Sequence, residues 1–233
     1  MSISKIFCLG DGFAHGHIWP EWPQILSALA PSHSVICLSG IGAGAEYLVD
    51  ALLQHDVFGH TVIFQWPYSQ RFDKLLEHES WEDLRRDDPV YVNNVYQSGQ
   101  HRWWLTSASS VPDVKKYHDF YIGQTQADLR VQNLQILVRG YLQWQDCRYL
   151  ETSTQAQDEF SHHVRFQHRR GNEVQPQPWV HYCWVRECLL PVLGVEIQES
   201  RLNHLGEILD HEQWNAYDPD RDDQWRRIVN TLD

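Results

Sequence analysis

Short apolar runs and longer amphipathic stretches alternate along the first 75 residues. Ile6–Leu9, Val35–Leu38 and Thr61–Gln65 are runs of four to five residues, dominated by apolar side chains. Such runs suit strands covered on both faces, as in a parallel sheet. Between them, Trp19–Leu29 reads as a helical stretch with Pro20 and Pro23 near its start, where proline is tolerated. Ala45–Gln54 is a second helix, with Leu48, Ala51 and Leu52 on one packed face. A β-α-β-α-β order with short connections predicts parallel strands joined by right-handed crossovers.

The pattern loosens after residue 76. Glu77–Val114 mixes charges, prolines and aromatics and reads as an insertion, near 77–118, with a short hairpin. A helical period returns over Tyr121–Gln145, where Ala127, Val131, Leu134, Val138 and Tyr141 share a face. Cys147–Glu151 reads as a fourth strand and Ser153–Pro178 as part of a second insertion, near 152–178. Val180–Leu190 is predicted helical and ended by Pro191, and Trp225, Ile228, Val229 and Leu232 have helical spacing near the C-terminal end. The fold class expected is a three-layer α/β/α sandwich with a parallel sheet and flavodoxin-like winding, as one domain over residues 1–233. Both insertions would cover the carboxyl edge of the sheet.

Charge and composition narrow the partners. A net charge of −12 argues against non-specific nucleic-acid binding and against an anionic membrane surface. No run approaches the roughly 18–20 apolar residues that span a bilayer, and Met1–Lys5 leads directly into a strand with no leader pattern. Five cysteines without paired metal spacing suggest a reducing compartment, with Cys8 and Cys37 as small apolar strand residues. The expected location is cytoplasmic, or within a viral particle. Eleven tryptophans suit a core, a carbohydrate-stacking platform or an interface.

The densest chemistry lies at Gly10-Asp11-Gly12-Phe13-Ala14-His15-Gly16, immediately after the first strand. In open α/β sheets ligands bind at the carboxyl ends of strands, so a site belongs there. This segment resembles the SGNH (GDSL) hydrolase family, which opens with a strand, Gly-Asp-Ser and a nearby glycine. The nucleophilic serine of that family falls on Gly12. Its second block, a glycine whose amide binds an oxyanion, resembles Gly40-Ile41-Gly42-Ala43-Gly44, with Gly42 and Gly44 leading into a helix. Backbone N–H groups at a helix start attract negative charge in any case.

The third block, Gly-x-Asn-Asp, falls on Gln65-Trp66-Pro67-Tyr68-Ser69-Gln70-Arg71, which has no asparagine. Trp66 and Tyr68 are expected to shape a pocket floor, and Arg71 to bind something acidic or to cap a helix. The fourth block, Asp-x-x-His, falls on Leu209–Pro219. One register puts Gln213 where histidine belongs, opposite Asp210. Another uses Asn215 and Asp218, and His211 matches neither. The resemblance therefore implies a member without nucleophile or base. Such a member would bind a glycan or an acylated small molecule, or protein partners in an assembly.

The alternative is an active ester hydrolase with a rearranged site, using His15, His211 or a displaced serine, with Asp11 in support. The binding positions expected are Asp11, Gly12, His15, Gly42, Gly44, Trp66, Tyr68 and Arg71, with no cofactor. Fourteen histidines raise the question of a metal, but His15, His17, His162, His163 and His168 match no zinc spacing. Cys183 and Cys188 have no assigned base.

Overall fold

A computed structural model describes residues 4–11, 19–69, 71–76, 95–107, 116, 123–153, 177–211 and 220–232. Four strands, β1 (Lys5–Leu9), β2 (Ser34–Cys37), β3 (Thr61–Trp66) and β7 (Arg148–Ser153), form a parallel sheet in the order β2-β1-β3-β7. The register pairs Cys8 with Cys37, Leu9 with Phe64, and Gln65 with Thr152. Helices cover both faces, which is why β1, β2 and β3 are dominated by apolar residues rather than alternating, whereas the edge strand β7 is mixed.

On one face Ile6, Cys8, Ile63 and Leu150 pack against α1 (Trp22–Leu29), α4 (Pro178–Trp184), α6 (Glu199–His211) and α7 (Arg221–Thr231). On the other, Phe7, Leu9, Val62 and Phe64 pack against α2 (Ala45–Leu53) and α3 (Gly123–Trp144). Within α3 the buried positions are Ala127, Val131, Gln135, Val138 and Leu142, with Leu134 and Tyr141 partly buried, close to the expected face.

A second sheet is antiparallel, in the order β4-β6-β5, from β4 (Arg71–Leu75), β5 (Val95–Ser98) and β6 (His101–Ser107). The hairpin expected within 77–118 is β5–β6, turning at Gly99 with φ 57°. Residues 77–94 and 108–115 lie outside the described part, as do 154–176 of the second expected insertion. Thr152 and Ser153 belong to β7, and Pro178 starts α4, so that insertion is narrower than the reading placed it.

Three further expectations are corrected. The first helix starts at Trp22, not Trp19: Pro20 disfavours helical angles at the residue before it, while Pro23 sits within the first turn, where its missing N–H is not needed. Arg71 opens a strand, so it caps no helix. Pro191 does not end its helix either. Between α4 and α5 (Leu190–Leu193) the chain makes a π-helical turn over Val185–Leu189, closed by Leu190 N–H donating to the Val185 carbonyl. Widening the turn relieves the clash between a proline ring and the carbonyl four residues back, so the axis continues to Gly194, in the left-handed region at φ 60°.

Candidate functional site

Buried polar side chains mark one edge of the molecule. Of the ten buried polar residues among those described, six (Asp11, Ser39, Gln65, Ser69, Thr152 and Ser153) lie at or just beyond the carboxyl ends of the parallel strands, and Glu21 is the N-cap of α1; Ser98, Gln135 and His181 lie elsewhere. Burying such groups costs free energy unless they are hydrogen-bonded, so their concentration at one edge needs a reason. The order β2-β1-β3 makes the β1 and β3 ends the point where the chain leaves the sheet in opposite directions. Crevices form there.

Asp11 follows β1 and is fully buried. Arg71 Nη2 lies 3.5 Å from its Oδ2, and the guanidinium keeps a fifth of its surface exposed. The acidic partner expected for Arg71 is thus supplied by the chain itself. Gln65, at the end of β3, accepts from Trp22 Nε1 at 3.3 Å through Oε1, which orients its amide. Gln65 Nε2 and its cross-strand neighbour Thr152 Oγ1 find no hydrogen-bond partner among the described residues, although both residues are fully buried. Trp66 is also interior, stacked on Phe64 at 4.1 Å between ring centroids. It is core rather than pocket floor, while Tyr68 is exposed at the rim.

The glycine-rich turn after β2 is closed over by the antiparallel sheet. Gly44 is the N-cap of α2, and its amide donates to Asp73 Oδ1 at 2.8 Å. Tyr47 N–H donates to Asp73 Oδ2, also at 2.8 Å. The Asp73 carboxylate from β4 therefore occupies the positive end of this helix, as any anion would. A Cβ on Gly44 would come within 2.6 Å of that carboxylate, so only glycine admits it. Ile41 N–H donates to the Tyr96 hydroxyl at 2.9 Å, and the space above Gly40 is filled by Leu105, Tyr47 and Tyr96. Gly42 sits at φ 78°, as the turn requires.

Burial is the main reason the Asp73 carboxyl is pushed up to about 7, with Glu46 adding to it; the Tyr47 and Gly44 amides and Arg130 pull the other way. Arg130 Nε pairs with Glu46 at 2.9 Å, and its Nη2 donates to the Arg71 carbonyl at 3.0 Å, tying α3 to the β4 start. At the far end of α2, Asp50 accepts from Trp103 Nε1 at 2.8 Å and lies 3.0 Å from His101 Nδ1. Burial would raise Asp50, but hydrogen bonds from Trp103, His101 and Ser98, with the charge of His101, hold it below its ordinary value. Asp73 and Asp50 together clamp the second sheet onto α2.

Of the expected site residues, the structure brings together Asp11 with Arg71, while Gly44 meets Asp73, which was not among them. Gly12, His15, Gln213 and Asp218 lie outside the described residues, as does the His211 side chain. Asp210 and His211 are the last residues of α6, and Asp210 is exposed on it, so this pair does not sit in a loop. Helix α6 itself turns its apolar face, Leu205 and Leu209, to the core. Asp73 and Thr152 were not singled out as site residues by the sequence reading. The available signal was a polar residue closing an otherwise apolar strand, as in Phe64-Gln65 and Leu150-Glu151-Thr152. Among the described residues no cluster of His, Cys, Asp and Glu could hold a metal ion, and no helix is long and apolar enough to cross a membrane. No family model matches the chain, and neither does any curated protein or solved structure.

Proposed function

We propose that this chain is a degenerate SGNH hydrolase-like domain, a three-layer α/β/α sandwich with flavodoxin-like winding, that binds a small polar ligand at the β1/β3 crevice and does not hydrolyse esters. The observation that carries the reading is the use of the α2 amides. Acyl transfer needs N–H donors left open for a developing oxyanion. Here Gly44 and Tyr47 donate to Asp73 and Ile41 donates to Tyr96, inside the protein. Gly12 supplies no hydroxyl, and Gln65 stands at the end of β3 where the resemblance would lead into an asparagine block.

Binding is supported by Gln65 Nε2 and Thr152 Oγ1, which have no partner among the described residues. Each buried polar group left unsatisfied costs ~1–3 kcal/mol, which a ligand with acceptor oxygens would offset. A glycan or an acylated sugar has that chemistry, and Tyr68 and Arg71 at the rim suit it. The test has two arms. Incubation with a fluorophosphonate probe and with p-nitrophenyl acetate is expected to give no labelled serine and no turnover above buffer. A labelled serine refutes the reading. Thermal unfolding against soluble oligosaccharides and their acetylated forms is expected to show a stabilising ligand whose effect Gln65→Leu removes. An unchanged response in Gln65→Leu moves the ligand elsewhere.

A further inference from the structure

Helix α3 is apolar on two sides. Its inner face is core, yet Leu129, Ile136, Leu137 and Trp144 are 52%, 65%, 65% and 76% exposed. At 100° per residue these four, with Asn133 and Gly140, fall within an arc of about 100°, opposite the buried positions. They form one stripe ~22 Å long at 1.5 Å per residue. A Cβ on Gly140, mid-stripe, would meet nothing within 4 Å, so another backbone can approach closely there. Phe58, 63% exposed, flanks the same end, since Gly59 N–H donates to the Gln145 carbonyl at 3.0 Å.

From this face we infer that the protein forms a two-fold symmetric dimer through antiparallel pairing of α3 with α3 of a second copy. The inference is independent of the ligand-binding reading. Two observations select a second copy as the occupant. The first is charge. The exposed outer arc of α3, from Thr125 to Trp144, contains no Asp, Glu, Lys or Arg, in a chain with 31 acidic and 19 basic residues. The basic residues bordering it are turned aside, Arg130 to Glu46 and Arg139 to Glu151 at 2.7 Å. Two molecules of charge −12 repel over most of their surfaces, and a neutral face is where like can meet like. A partner chosen by charge would have nothing here to read.

The second is area and shape. Four side chains at these exposures present roughly 500 Å² per copy, and two copies about 1,000 Å², the lower bound for a specific interface. With the two-fold axis midway along the stripe, Leu129 of one copy meets Trp144 of the other. Asn133 meets Gly140, and Ile136 meets Leu137. Large residues face apolar ones, and the one polar side chain faces the gap left by glycine.

Sedimentation velocity on the full chain tests this. The wild type is expected to pass from 27.5 kDa to twice that mass with a dissociation constant in the micromolar range. The association should tighten as salt rises and screens the mutual repulsion. Ile136→Lys and Leu137→Glu are each expected to weaken it at least ~100-fold with unchanged circular dichroism and thermal midpoint. Because position 136 of one copy faces position 137 of the other, mixing the two variants should restore a dimer. A wild type monomeric at ~200 μM, or dimerisation untouched by either variant, overturns the proposal. Variants that dissociate the wild-type dimer but fail to pair when mixed overturn the antiparallel register.

Discussion

Replacing Asp73 by asparagine separates the two roles that this carboxyl combines. Its oxygens cap α2 through Gly44 and Tyr47, each at 2.8 Å, while its enclosure pushes the carboxyl up to about 7. In the unfolded chain the same group titrates near its ordinary value of 3.8. Between those values the folded protein holds a proton that the unfolded chain has lost, so stability falls as pH rises. The contribution is fully present below 3.8 and gone once pH passes about 7. A difference of about three pH units corresponds to ~4 kcal/mol at 1.36 kcal/mol per unit. Asp73 keeps part of its surface exposed, which lowers the expectation to ~2 kcal/mol.

Asparagine has the shape of the protonated acid, with one acceptor and one donating group. Its –NH2 cannot accept the second of the two backbone N–H groups, a loss of about 1 kcal/mol, so Asp73→Asn is expected to be about 1 kcal/mol less stable than the wild type near pH 4.5 and about 1 kcal/mol more stable at pH 8. Urea unfolding of both proteins at half-unit pH steps measures this, and the difference between the two curves cancels every other titrating group. If Asp73→Asn is the less stable protein at pH 8, the helix amides outweigh burial. The reasoning then fails.

Other substitutions probe neighbouring contacts. Asp73→Ala leaves the Gly44 and Tyr47 amides without their acceptor and should cost ~1–2 kcal/mol at pH 4.5. Gly44→Ala expels the same carboxylate and should cost as much, but the double variant little more than either alone, as a urea double-mutant cycle would read. Arg71→Leu strips the buried Asp11 of its guanidinium and should destabilise by ~1–3 kcal/mol, whereas Asp11→Asn with Arg71→Leu recovers part of that loss. Burial brings His181 down to about 3, so its contribution is complete above 6.5 and is lost as pH falls from 6.5 towards 3. His181→Leu should therefore remove up to about 3 kcal/mol of acid sensitivity between pH 6.5 and 4, measured by the same unfolding series.

The parallel sheet was legible because its signals are local. Ile6–Leu9, Val35–Leu38 and Thr61–Gln65 are apolar within a few residues, and the period of Ala127, Val131 and Val138 lies within one helix. Hydrophobic periodicity reports which side of an element is dry, and connection order then restricts how the elements stack. The carboxyl end of β1 was also readable, since an apolar strand running into Gly10-Asp11 marks it without any distant partner.

Contacts between distant segments were not legible. Asp73 stands 26 and 29 residues from the amides it caps, and Asp11 is 60 positions from Arg71. One charged residue in a strand looks like any other until the fold decides what faces it. Pro191 broke the local rule because a widened turn, set by packing of Val185 and Leu189 in the core, absorbed it. The outer stripe of α3 was written in the sequence throughout, since Leu129, Ile136 and Trp144 are as periodic as the core residues. Periodicity alone assigns a helix two apolar faces and does not rank them. Only the tertiary structure, by burying Val131 and Val138 and leaving Ile136 in water, shows which face is core and which is exposed.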